Sequence, residues 1–141
     1  MSFAIDAGTP FGQRAARRLA EEAVCWLVTV NPRGRPQPNP VWFLWDGEGA
    51  VIYSQPDTAK LRNIAANPRV AVHLDSRDGG NDVIILSGVA RVAPELPAAD
   101  QVPEYVAKYD ERIAVLDMTP ATFAAEYSVP VRFDARRIRG Y

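Results

Sequence analysis

The side chains best suited to chemistry in this 141-residue chain fall in one run, "AVIYSQPDTAKLRNIAANP". A strand-like stretch ends in Tyr53 and Ser54, and a helical pattern starts at Thr58. Lys60 and Arg62 stand in its first turn, the end where the helix dipole disfavours cations. Leu61, Ile64 and Ala65 recur at helical spacing, which predicts a buried stripe with Lys60 and Arg62 off it. Thr58 reads as an N-cap, its hydroxyl accepting a first-turn N–H, and Asn67-Pro68 stops the helix. Free N–H groups, hydroxyls and an ammonium at one helix start suit an anion or a phosphate. The bland alternative is a solvated lysine, since the dipole penalty is only about 0.3 kcal/mol.

A second candidate is "PQPNPVWF", with prolines at 36, 38 and 40. In an extended chain this spacing strips the N–H donors from one edge and leaves those of Gln37, Asn39 and Val41 on the other. Two readings fit: an edge strand blunted against aggregation, or a backbone wall that hydrogen-bonds a flat ligand.

Several chemistries are disfavoured. Cys25 is the single cysteine and lies within the apolar run "AVCWLVTV", which suits a buried small hydrophobe better than a nucleophile. His73 is the single histidine, placed by alternation opposite the valines of "VAVHL". Zinc and a Ser-His-Asp triad lack partners. A net charge of −1 gives no case for nucleic acid or an acidic membrane. No apolar run reaches the ~20 residues of a membrane span, and no secretory signal is evident, so a soluble cytoplasmic protein is expected.

The elements that must position these residues follow from pattern. Thr9-Pro10 opens a helix over residues 10–22. Residues 24–30, "VCWLVTV", predict a strand buried on both faces. Residues 41–45 and 50–54 form a hairpin across "DGEG". Strands at 69–75 and 83–92 follow, with Gly88 marking a bulge or bend. Residues 94–127 hold one or two helices, and "SVPVRFDARRIRGY" closes the chain as a basic strand. Six mostly meandering strands with few helices predict a small antiparallel barrel. The acceptor pocket is expected from the 76–82 loop and the 94–127 insert.

In order and spacing, "GAVIYSQPDTAKLRNIAANPRVAVHLD" resembles the central segment of the flavin-binding split β-barrel superfamily, the pyridoxamine 5′-phosphate oxidase-like proteins. That segment is a strand ending in an aromatic and a hydroxyl residue, a Ser/Thr-x-Lys, a helix closed by Asn-Pro, then a strand. "SGVARV" is similar to the Gly-x-Ala strand that comes next, and "GRPQPNPVWFLWDG" is similar to the first hairpin of the deazaflavin (coenzyme F420)-dependent reductases. The likeness covers residues 20–93 and, more weakly, the terminal strand. Where pyridoxamine phosphate oxidases carry an Arg-x-Val-Leu-Leu-Lys-like strand and Ser-Arg-Lys, this chain has "PNPVWFLW" and "TAK". The reading therefore does not extend to pyridoxamine oxidation.

The resemblance implies a mainly β, six-stranded antiparallel split β-barrel, one domain over residues 1–141. It implies a homodimer with the cofactor at the subunit interface. The cofactor phosphate would be held by Thr58 and Lys60 with help from Tyr53 and Ser54. The ring would lie along Asn39, Pro40, Val41 and Trp42, and Arg136, Arg137 and Arg139 are candidates for an anionic side chain. The implied function is an oxidoreductase in which F420 passes hydride to a small organic acceptor. An FMN-dependent oxidoreductase on the same barrel, or a non-catalytic flavin or tetrapyrrole binder, are the alternatives. No catalytic side chain is assigned, because the cofactor carries the chemistry.

Overall fold

Thr9 and Pro10 open the first helix in the computed structural model, which describes residues 2–141. The Thr9 hydroxyl accepts the Gly12 N–H (2.9 Å), and α1 runs Pro10–Glu21. Arg18, on its buried face, bonds Glu22, Asp82 Oδ1 (2.8 Å) and the Asp75 carbonyl (2.5 Å). These bonds tie α1 to the polar loop that follows residue 75.

The strands are β1 (Val24–Val30), β2 (Pro36–Trp42), β3 (Leu44–Trp45), β4 (Gly49–Ser54), β5 (Arg69–His73), β6 (Ile84–Val92) and β7 (Val129–Gly140). Helix α2 (Ala59–Ala66) lies between β4 and β5, while α3 (Pro103–Val115) and α4 (Pro120–Glu126) lie between β6 and β7. Among the described residues the strands form one antiparallel sheet in the order β2-β1-β5-β6-β7-β4-β3. The two edge strands are separated in sequence by Phe43 alone, so the sheet must curl until its edges meet there. This is a curled half-barrel of seven strands, not six. The expected strand over 41–45 is split at Phe43: its first part extends β2 along β1, and its second part pairs with β4.

Strand β1 also corrects expectation. Cys25, Leu27 and Thr29 are fully buried, whereas Val24, Trp26, Val28 and Val30 are only half-buried. An alternating pattern was hidden by apolar residues on both faces. At Gly88 the β6–β7 register shifts as expected, and a Cβ there would meet the Asp134 carbonyl oxygen at 2.0 Å. His73 lies opposite the buried Val70 and Val72 and stacks on Trp26 (6.2 Å between centroids, 11° between planes).

Two apolar clusters result. One fills the curl, with Leu27, Phe43, Ile52, Leu86 and Phe133 fully buried. The other joins β4 to the helical insert through Tyr53, Tyr105, Tyr109, Ile113 and Phe123. Each large side chain so buried contributes about 1.5–3 kcal/mol, which fixes α3 and α4 against the sheet. Among the described residues no helix is long and apolar enough to cross a membrane.

Candidate functional site

The site is organised by the break between β2 and β3. Phe43 turns its ring into the curl, so its backbone leaves the ladder and needs other partners. Its N–H donates to Tyr109 Oη (2.8 Å), and its carbonyl accepts from Lys108 Nζ (2.7 Å). The Tyr109 hydroxyl also lies 2.8 Å from the Phe43 carbonyl and 2.7 Å from that of Ala23, and its one proton serves one of them. The Lys108 ammonium sits 4.0 Å from the Phe43 ring centroid. Burial lowers the Lys108 pKa to about 8, opposed by Cys25 and Glu22. Burial pushes the nearby Cys25 thiol up to about 12, so it stays protonated and unreactive.

With Phe43 turned inward, Trp42 faces the helical insert. Its ring stacks on Tyr109 (4.7 Å, 6°) and on Phe123 (5.4 Å, 18°), and Phe123 stacks in turn on Tyr127 (4.5 Å). Between these walls lies a cavity of about 390 Å³, within the size range of small-molecule sites. Pro40, Val41, Trp42 and Tyr53 form the strand wall, and Tyr105, Leu116, Phe123 and Tyr127 the helical wall. Lys60 is the single charged residue lining it among the described residues.

Five of the eight residues singled out from the sequence therefore meet at one cavity: Pro40, Val41, Trp42, Tyr53 and Lys60. Lys60 is half-buried, has no ion-pair partner among the described residues, and has its pKa lowered by burial. Asn39, Ser54 and Thr58 do not line the cavity. Asn39 is half-buried, its amide 3.4 Å from the Gln37 carbonyl. Ser54 is 1 % exposed and donates to the Gln55 carbonyl (2.8 Å). Thr58 precedes α2 but caps nothing, its hydroxyl being paired with Ser54 Oγ at 3.2 Å instead. The first-turn N–H groups of α2 are left without a side-chain cap. The Tyr53 hydroxyl donates to the Pro97 carbonyl (2.8 Å), and its pKa is raised by burial and then by Asp100.

Other expectations shift too. In α2 Ile64 is buried and Leu61 half-buried, but Ala65 is exposed; Asn63 turns inward and donates to Thr29 Oγ1 (3.0 Å). Arg62 is not idle, because Nη1 donates to the Asp57 carbonyl (2.7 Å) of the turn before the helix. Arg136, Arg137 and Arg139 do not line the cavity, and neither does the 76–82 loop.

The proline-spaced strand keeps its N–H groups for its neighbour. Pro36, Pro38 and Pro40 oppose Val30, Val28 and Trp26. Proline cannot donate, so these are the non-hydrogen-bonded pairs of the antiparallel ladder. The alternating bonded pairs are then Gln37–Thr29, Asn39–Leu27 and Val41–Cys25. At its three proline positions the free edge of β2 offers carbonyls and no donors; by the same alternation Trp42, opposite Val24, keeps an N–H on that edge. That corrects the picture of a donor wall.

The residues that sequence reasoning missed come from the insert. Tyr105, Tyr109 and Ile113 recur at four-residue spacing in "YVAKYDERI", a stripe visible in the sequence, and all three are buried.

A curled antiparallel sheet closed beside an aromatic cavity defines a half-barrel of the split-barrel class. The chain belongs to the pyridoxamine 5′-phosphate oxidase family, whose model matches residues 11–138. Among solved structures it is similar to an F420 reductase (26% identity over 87% of this chain and 94% of that one, TM-score 0.64). It also shares its fold with the heme storage protein HutZ of Vibrio cholerae (14% identity, 98% and 95% covered, TM-score 0.66). A third relative in fold is a FAD-binding protein of Mesorhizobium loti (21% identity, 89% and 88% covered, TM-score 0.58). No curated protein matches the chain in sequence.

Proposed function

We propose that this protein is an oxidoreductase that binds coenzyme F420 and passes hydride to a small organic acceptor. Lys60 carries the reading. A half-buried ammonium without an ion-pair partner among the described residues, on the same first turn as the uncapped N–H groups of α2, is matched by the phosphate of such a cofactor. The similarity to an F420 reductase at 26% identity supports the choice of cofactor. Bound F420 supplies the hydride; the chain supplies placement and polarity.

In this reading Lys60 and α2 hold the phosphate, and the strand wall from Pro40 to Trp42 lies against the ring. Asn39, Ser54 and Thr58 act from behind. Ser54 pairs with the Thr58 hydroxyl and draws it away from capping, which leaves the first-turn N–H groups to the phosphate. The carbonyl edge of β2 favours a ring N–H over a ring carbonyl. We further infer a homodimer, with Val24, Trp26, Val28 and Val30 of β1 covered by a second copy. The half-exposed face of β1 is wholly apolar, Val24, Trp26, Val28 and Val30, and that supports the pairing.

Titrating the cofactor-free protein with F420 and, separately, with FMN tests the reading. Tighter F420 binding, with oxidation of reduced F420 by an acceptor panel, is expected. Preference for FMN moves the assignment to an FMN-dependent oxidoreductase. Binding without hydride transfer to any acceptor moves it to a carrier.

A further inference from the structure

Four rings at the cavity form one stack, in the order Tyr109, Trp42, Phe123, Tyr127. Tyr127 ends it. Its ring lies 4.5 Å from that of Phe123 and 18° from parallel. Among the described residues no second aromatic ring covers its other face. The Tyr127 N–H closes α4 on the Phe123 carbonyl (2.8 Å). Gln55 Nε2 donates to the neighbouring Glu126 Oε1 (3.0 Å), which ties this end of α4 to the segment leading into α2 and Lys60.

Three tyrosines line the cavity, and their hydroxyls differ. Tyr53 Oη is committed to the Pro97 carbonyl. Tyr105 Oη is closed off from cavity and solvent alike. Tyr127 is half-buried, and its hydroxyl is open, with no hydrogen-bond partner among the described residues. Lys60 and the Trp42 indole N–H lie on the side given to the cofactor. Tyr127 therefore holds the open, uncommitted side-chain donor left to a second molecule in the cavity.

We propose that Tyr127 positions the acceptor, the free face of its ring stacking a planar conjugated ketone and its hydroxyl donating to the ketone oxygen. This rests on the cofactor reading above, which assigns Lys60 and the strand wall to the cofactor and leaves the helical wall to the acceptor. Stacked rings attract beyond the area they bury. An acceptor that takes hydride at a carbon conjugated with the carbonyl gains an electron pair on that oxygen, and solvent supplies the proton that completes the reduction. A donor fixed at the oxygen stabilises the charge as it forms.

The test uses 1-indanone and indane, which share a ring frame and differ by the oxygen, each bound to cofactor-free protein in equilibrium dialysis. Tyr127→Phe removes the hydroxyl and keeps the ring, whereas Tyr127→Leu removes the stacking face. Tyr127→Phe is expected to weaken indanone binding about fivefold and to leave indane within about twofold. Tyr127→Leu is expected to weaken both by about threefold or more. Tyr127→Phe is also expected to melt with the wild type, because water satisfies an open hydroxyl in the free protein. Unchanged indanone affinity in Tyr127→Phe, an equal loss of both probes in that variant, no loss in Tyr127→Leu, or no indanone binding by the wild type would each overturn the proposal. A lower melting temperature for Tyr127→Phe would show a hydroxyl already held by the protein and would overturn it too. Both probes are read without cofactor, so a failure of F420 to bind is a separate result that sinks the cofactor reading alone.

Discussion

The hydroxyl of Tyr109 lies 2.8 Å from both the N and the O of Phe43, so one side chain of α3 meets both backbone polar groups at the step between the two edge strands. Tyr109→Phe leaves the Phe43 N–H buried without its partner. A loss of about 1–3 kcal/mol in urea unfolding is expected. Unchanged stability would mean that another group takes over at the break.

Lys108 gives that junction a pH dependence. Its folded pKa, about 8, lies below the ordinary 10.5 because burial disfavours the charge. Between those values the unfolded chain binds a proton that the folded one lacks, so Lys108's share of stability rises with pH across that window. Cys25 runs the other way: its pKa is raised from 9.0 to about 12, so its share falls above pH 9. The difference between wild type and Lys108→Met removes the Cys25 part. That difference is expected to move in favour of the wild type from pH 7.5 to 10 in chemical denaturation, and a flat difference contradicts the assignment.

Thr29 and Asn63 form a buried polar pair between β1 and α2. Thr29→Val leaves the Asn63 amide short of a partner, with an expected loss of about 1–3 kcal/mol. Thr29→Val combined with Asn63→Leu is expected to recover part of it, because two apolar groups leave nothing unpaired. With Asn63→Leu also measured alone, a double-variant loss equal to the sum of the two single losses would show that the pair is not coupled.

Much of this architecture can be read from local sequence, and the misreadings share a cause. Thr9-Pro10 and the hairpin at "DGEG" depend on neighbours a few residues away, and Gly88 marks its shift by residue type although the backbone it approaches is that of distant Asp134. The break at Phe43 depends on Lys108 and Tyr109, more than 60 residues on, and nothing in "VWFLW" announces it. Ala65 suits a helical stripe as well as Asn63 does, until Thr29 supplies the partner that makes burying an amide affordable. Thr58 has the right type for a cap, but Ser54 competes for its hydroxyl. Of the cavity, the strand wall and Lys60 are legible from local pattern. The helical wall is visible only as the spacing of Tyr105, Tyr109 and Ile113, with no local sign of what those residues face.

The central claim is that Lys60 binds the cofactor phosphate, and a fluorescence titration of F420 into wild type and Lys60→Ala tests it most directly. A partly exposed lysine adds little to stability, so the variant is expected to melt within about 0.5 kcal/mol of the wild type. Loss of a charge-assisted bond to phosphate is expected to weaken F420 binding by about tenfold or more. Equal affinity in the two proteins, with both folded, would contradict the account and return Lys60 to a solvated side chain.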